Sequence, residues 1–337
     1  MRYRLALQVL CAKVNIAANR EELLPRLPFK VEVPSLLTDF RRVEPGKPVP
    51  HPDGACVIED ADVRPEVRFA DGRVLFRGPF LRLERTCSDP RYTLWGNQGF
   101  FYRYTLSLLE RKHGIFTLHA CALVNERGDT MVVAPGGAGS GKTVFLLRGL
   151  ELGWQVFSTE SVHFQPQGEE ILWYGGPLVD NIRVGTLVQD FPSFLPKDIA
   201  QQAENAWEEK IALNLSRFQH PAEKLERLKS VIIVLPRIEH GFKDPSWNPI
   251  GDTRKATQRL FENISQKITE TVLLYDTIAV PGQEEPSSSQ KRLSAVQDLL
   301  ANSSLNRVVS VNASPRNCWD GILNNLTREK THGKSMG

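Results

Sequence analysis

"APGGAGSGKT", residues 134–143, packs four glycines ahead of a lysine and a hydroxyl residue. Gly136, Gly141, Lys142 and Thr143 satisfy the spacing G-x-x-x-x-G-K-[ST] of a phosphate-binding loop. The composition follows from what a polyphosphate needs, which is several donors converging on one point with no side chain in the way. Glycines let the backbone turn tightly, so that successive N–H groups point inward as an anion nest. A helix opening near Lys142 adds the positive end of its dipole. On this reading Gly136, Gly137, Ala138, Gly139, Ser140, Gly141, Lys142 and Thr143 line a nucleotide cradle. Lys142 reaches the β- and γ-phosphates, and the Thr143 hydroxyl is a magnesium ligand. The flanks agree: "TMVVA" leads in as an apolar strand, and "VFLLRGLELG" leads out as a helix closed by Gly153.

Upstream of the loop, "FTLHACALV" and "TMVVAP" read as paired strands around the turn "NERGD". Before them, in "GFFYRYTLSLLERKHG", Phe101, Tyr104, Leu108 and Leu109 fall at i, i+3, i+7 and i+8, one face of a core helix that Gly114 stops. Met1 to about Asn97 consists of short runs broken by Pro, Gly and Asp, with a hairpin at Asp71-Gly72 between "EVRFA" and "RVLFR". Downstream, "WQVFSTESVHF", "ILWYGG" and the buried-type "VIIVLP" read as strands. "PAEKLERLKS" reads as an exposed helix with a solvated charged face, "PGQEEPSSSQKR" as a polar loop and "REKTHGKSMG" as a frayed tail. Strands alternating with helices make an α/β domain. The expected division is a β-rich accessory region over 1–97, an α/β domain carrying the loop over 98–326, and a flexible tail over 327–337.

The chain has 337 residues, 41% apolar and 24% charged, as an ordinary globular protein does. A net charge of +3 is too mild to imply a nucleic-acid or membrane partner. No window approaches the roughly 18 apolar residues of a membrane span. Five widely spaced cysteines with no CxxC pair give no zinc or disulfide framework, and a reducing cytoplasm fits them. The opening "MRYRLALQVLCAKVN" is interrupted by Gln8 and Lys13 and lacks a small-x-small cleavage site, so it reads as a first strand.

Magnesium beside a triphosphate needs an acidic residue at the end of a second apolar strand. Glu160, closing "WQVFSTE", and Asp276, closing "VLLYD", are the two choices; "VIIVLPR" ends in Pro236 and Arg237 and offers no carboxylate. The segment "GGPLVDNIRVG" is glycine-flanked, as segments that approach a ligand are. It brings Arg183 as a phosphoryl-neutralising cation and Asp180 as a base, although an Asp beside Asn181 also serves plain turns. Arg237 faces either the same cleft or solvent. His163, alternating with Val162 and Phe164, reads as a strand surface residue.

Residues 116–164, "FTLHACALVNERGDTMVVAPGGAGSGKTVFLLRGLELGWQVFSTESVHF", resemble the catalytic domain of HPr kinase/phosphorylase and its relatives, with weaker echoes in "GGPLVDNIRVGT" and "VIIVLPRIEHG". The shared features are the His119-Ala120 strand start, a hairpin into the loop, a helix ending near glycine, and a short strand running into an acidic pair. The resemblance implies the mixed sheet of the HPr kinase/phosphoenolpyruvate carboxykinase fold, with ATP and Mg2+ as cofactors. It further implies transfer of the γ-phosphate to a hydroxyl on a small molecule, peptide or protein in the cytoplasm, and leaves a homo-oligomer open. It places His119 near phosphate or acceptor, or else as a buried, hydrogen-bonded histidine, and gives Glu160 the metal role. The family's first acid, its general base, aligns with Thr159, which cannot accept a proton near neutrality. Two other readings stand beside the kinase: a nucleotide-binding regulatory or assembly protein without catalysis, and an ordinary ATPase or GTPase using Asp276.

Overall fold

The structure is a computed structural model that describes residues 2–24, 41–43, 48–70, 72–196, 199, 206–302 and 304–322. In chain order they form β1 (Tyr3–Val9), β2 (Ala12–Ala18), β3 (Arg41–Val43), β4 (Gly54–Asp60), β5 (Glu66–Ala70), β6 (Arg73–Gly78), α1 (Phe80–Thr86), α2 (Phe100–His113), β7 (Phe116–Val124), β8 (Thr130–Pro135) and α3 (Lys142–Glu151). There follow β9 (Gln155–Ser158), β10 (Ser161–Gln167), β11 (Glu170–Tyr174), β12 (Val179–Arg183), α4 (Val184–Asp190), β13 (Lys210–Asn214), β14 (Lys224–Leu225) and β15 (Ser230–Ile238). The last are β16 (Ser246–Pro249), α5 (Thr253–Thr269), β17 (Val272–Leu274), β18 (Ile278–Val280), α6 (Ser288–Ala301) and β19 (Leu305–Ala313). The protein is mixed α/β, as expected. It forms two compact units, Met1–Thr117 with Ile264–Ala295, and Leu118–Asn263 with Val296–Gly337. The division therefore differs from the expected one at residue 97: α2 and the β17–β18 hairpin belong with the β-rich unit. The expected tail over 327–337 lies outside the described residues.

The first unit is built on a six-stranded sheet in the order β3-β1-β2-β4-β6-β5. β1 and β2 form an antiparallel hairpin cornered at Leu10, whose φ is +50°. β5 and β6 pair Ala70 with Arg73 around Gly72 at φ +69°, the expected hairpin; Asp71 itself lies outside the described residues. α2 corrects the expectation of a single apolar face. Every residue from Phe100 to Glu110 is buried, because aromatic neighbours close on it from several sides. Trp95 stacks on Phe101 at 4.2 Å between centroids, and Phe76 meets Phe100 edge-on at 4.6 Å. Gly114, at φ +63°, ends the helix by donating its N–H to the Glu110 carbonyl, the left-handed cap that glycine favours.

Burial all round forces α2 to pair its one acid. Arg292, fully buried on α6, donates from Nε to Glu110 Oε2 at 2.8 Å and from Nη1 to Glu284 Oε1 at 2.9 Å. α6 already begins at Ser288, so part of the expected polar loop "PGQEEPSSSQKR" is helix, and Arg292 is its buried anchor. "VLLYD" ends in a tight turn, not an open strand edge: β17 pairs with β18 alone, and Tyr275 and Asp276 turn between them at φ +51° and +55°.

The second unit is built on a nine-stranded mixed sheet, β14-β11-β10-β7-β8-β15-β19-β16, with β9 also on β7. β7 and β8 are antiparallel around the "NERGD" turn, while β15 runs parallel to both β8 and β19. α3 packs onto the apolar residues of this sheet through Phe145, Leu146 and Leu150. Trp319 stacks on Phe145 at 4.7 Å and donates its indole N–H to the Phe145 carbonyl at 2.8 Å. "PAEKLERLKS" is not a helix. Lys224–Leu225 is an edge strand on β11, and Arg227 at φ +54° turns the chain so that Leu225 and Leu228 are both buried. Two leucines with a place in the core override helix propensity here.

Removing one partner of a pair as buried as Arg292–Glu110 strands a charge. Arg292→Ala is therefore expected to cost about 3–5 kcal/mol in denaturant unfolding, and the double change Arg292→Met with Glu110→Leu to recover most of it.

Candidate functional site

The site is assembled on β7. The β7–β8 ladder pairs Ala120 with Pro135 and runs one step further, Gly136 donating its N–H to the His119 carbonyl at 3.1 Å. Beyond it the chain turns through Gly139 at φ +80° and Gly141 at φ +92°, with the Ser140 N–H closing onto the Gly137 carbonyl at 3.3 Å. Gly141 has a second reason to be glycine: a Cβ there would lie 2.6 Å from Cβ of Ile238, the last residue of β15. α3 starts at Lys142 with no side-chain cap, so its first-turn N–H groups have no acceptor within the helix. The loop thus has the open donors and the helix dipole that an anion needs.

Lys142 folds over the loop, its ammonium donating to the carbonyls of Gly136 at 2.5 Å and Gly137 at 3.2 Å. Burial holds its pKa below the ordinary lysine value, against the negative charges of Glu160 and Asp180 nearby. Thr143 Oγ1 donates to Asp180 Oδ2 at 2.9 Å. That direction of donation leaves the hydroxyl's lone pairs for a cation. Asp180 is buried, and its pKa is pushed up to about 7, first by burial and then by the charge of Glu160. The Thr143 bond, the Lys142 charge and the Asn181 N–H pull the other way and do not cancel the rise. Glu160 is half-buried, and its carbonyl accepts from the Ala120 N–H at 3.1 Å. Lys142, Thr143, Glu160 and Asp180 therefore form one electrostatic group.

Thr159 does something the sequence did not suggest. It is buried, and its hydroxyl is shared between the carbonyls of Pro177 at 3.0 Å and Val179 at 2.9 Å, while its N–H also meets Pro177 at 2.9 Å. The residue standing where the resemblance places a base clips the segment that delivers Asp180, the next residue after Val179. Cys121, another residue the sequence did not single out, lies on β7 with Sγ 3.5 Å from the Lys142 carbonyl. Burial pushes its thiol up to about 12, so it is a neutral wall.

The other sequence expectations divide. His119 is half-buried at the base of the loop, its carbonyl holding Gly136. Arg183 is on β12 with Asp180, but alternation along the strand buries Asp180 and Ile182 and exposes Arg183, which donates to the Trp207 carbonyl at 3.0 Å. Arg183 is thus not brought to the group around Lys142. Arg237 is exposed and paired with Glu239 at 2.9 Å. His163 is no surface residue: it is fully buried in β10, and burial lowers its pKa to about 4. Asp276 sits in the β17–β18 turn of the other unit, hydrogen-bonded by Ser88 at 3.1 Å, and β17 pairs with β18. The parallel neighbour of β8 is β15.

In comparisons with known proteins, no family model and no curated protein matches the chain.

The pKa shifts have a measurable sign. Asp180 keeps its proton in the folded chain up to about pH 7 and loses it near 3.8 when unfolded, so its contribution to stability falls as pH rises between those values. His163 acts in the opposite sense between about 4 and 6.5. The comparison with a variant separates them: the melting-temperature advantage of Asp180→Asn over wild type is expected to grow from about pH 4 to pH 7 and level off above. Gly141→Ala, strained in φ and crowded by Ile238, is expected to destabilise by about 1–3 kcal/mol, measured by denaturation.

Proposed function

We propose that the chain is an ATP- and magnesium-dependent phosphotransferase of the HPr kinase/phosphorylase-like kind, on the phosphoenolpyruvate carboxykinase type of fold, acting on a hydroxyl acceptor. The observation that carries this reading is the hydrogen bond from Thr143 to the buried Asp180, at the end of a glycine loop and within electrostatic reach of Lys142 and Glu160. A simple anion-binding turn has no use for two carboxylates beside its lysine. A site that places a divalent cation against a triphosphate does.

The residues suit the cofactors. The loop from Gly136 to Thr143 offers backbone donors and a helix start for phosphate oxygens, and Lys142 exchanges its two carbonyl partners for them. Thr143 and Glu160 would hold magnesium, which when bound supplies neutralisation of phosphate charge. Asp180, titrating near neutrality, has the pKa that a general base for a hydroxyl requires. It fills the role that Thr159 leaves open, and this supports the kinase reading over a binder without catalysis. Adenine rather than guanine, and any partner beyond nucleotide and acceptor, rest on the resemblance alone. Among the described residues no helix is long and apolar enough to cross a membrane.

The test is incubation with γ-labelled ATP, magnesium and fractionated cell extract. Label is expected on a hydroxyl of a protein or metabolite. Glu160→Gln and Asp180→Asn are expected to lower transfer by about 10²–10⁴-fold, with Asp276→Asn leaving it unchanged. Label released only to water would make the chain a hydrolase. No calorimetric heat with Mg-ATP or Mg-GTP would end the nucleotide reading altogether.

A further inference from the structure

Asn263 lies on α5, distant in sequence from every motif of the site, and both polar atoms of its carboxamide go to a single residue. Its Oδ1 accepts the His119 N–H at 2.8 Å, and its Nδ2 donates to the His119 carbonyl at 3.1 Å. That carbonyl is the one that also accepts the Gly136 N–H at 3.1 Å, and Gly136 in turn offers its own carbonyl to the Lys142 ammonium at 2.5 Å. The next residue, Ala120, donates its N–H to the Glu160 carbonyl at 3.1 Å. The His119-Ala120 step therefore holds the first glycine of the loop through one residue and the acidic residue through the other. One side chain clamps the step by both its hydrogen-bonding groups.

We infer that Asn263 is a positioning residue, which sets the spacing between the phosphate cradle and Glu160 by fixing the His119-Ala120 step of β7. It touches neither nucleotide nor acceptor on the reading above, on which this inference rests; it acts through the backbone. A carboxamide is the group suited to the task, because it presents one donor and one acceptor side by side to a residue's carbonyl and N–H. Loss of the clamp loosens a backbone residue shared by two parts of the site, so nucleotide affinity suffers even though no ligand contact is removed.

The experiment compares wild type, Asn263→Ala and Asn263→Asp without ligand, by hydrogen exchange resolved at single amides, followed by Mg-ATP calorimetry. In Asn263→Ala, exchange at His119, Gly136 and Ala120 is expected to quicken at least about tenfold, with β11 and β16 unchanged, and the Mg-ATP Kd to rise about tenfold. Asn263→Asp keeps the acceptor and loses the donor, so the His119 amide is expected to stay slow while Gly136 quickens. Unchanged exchange at Gly136 and Ala120 overturns the inference, and so does a uniform quickening across the whole sheet, which would mark Asn263 as ordinary structural support. Local quickening with no Mg-ATP binding by any of the proteins keeps the positioning role and overturns the nucleotide reading instead.

Discussion

A carboxylic acid kept from water against a threonine hydroxyl is the constraint on which the rest of the site depends. Burying a carboxylate without partners costs several kcal/mol, and the group neutralises before it accepts that cost. Asp180 is held between these limits. Thr143 and the Asn181 N–H stabilise its charge, Glu160 opposes it, and burial decides in favour of the proton near neutrality. Such a balance persists only if the carboxyl cannot swing out to solvent. The Thr159 clip on Pro177 and Val179 prevents this from one side, and Ile182, packed in the apolar core two residues on, prevents it from the other.

β7 is the common support. Along one edge it pairs with β8 and reaches the loop; along the other it receives β9 and the Glu160 carbonyl. The glycine loop and the acidic residue Glu160 are therefore spaced by the width of a single strand. The apolar run from Leu118 to Val124, buried except at His119, makes that strand rigid enough to serve as a ruler.

What was legible in the sequence was local. The glycine loop, the hairpins at Gly72 and Gly128 and the Gly114 stop of α2 each follow from a few adjacent residues whose φ requirements are specific, whereas the opening stretch read as one strand folds back at Leu10 into β1 and β2. What was not legible depended on distant partners. Asp180 meets Thr143 across 37 positions, and nothing in "GGPLVDNIRVG" separates an acid of the site from turn chemistry. Thr159 looked like a gap because its two carbonyl acceptors are 18 and 20 residues away. "KLERLKS" has the charge pattern of a solvated helix, and only the open edge of β11 draws it straight. The unit boundary was misplaced for the same reason: α2 reads as the start of something new, yet its buried aromatic faces belong with the strands before it.

The contact between Gly141 and Ile238 carries one more consequence. The shape of the loop is not a private property of its ten residues, since the last aliphatic side chain of a neighbouring parallel strand stands where a side chain of the loop would have to go. The Ile238 N–H also donates to the carbonyl of Ser140, so this strand grips the turn as well as filling beneath it. Moved to another scaffold without that strand end, "GGAGSGKT" would lose its floor and with it the fixed aim of its amides. A glycine motif of this kind is one half of a mould, and the aliphatic strand is the other.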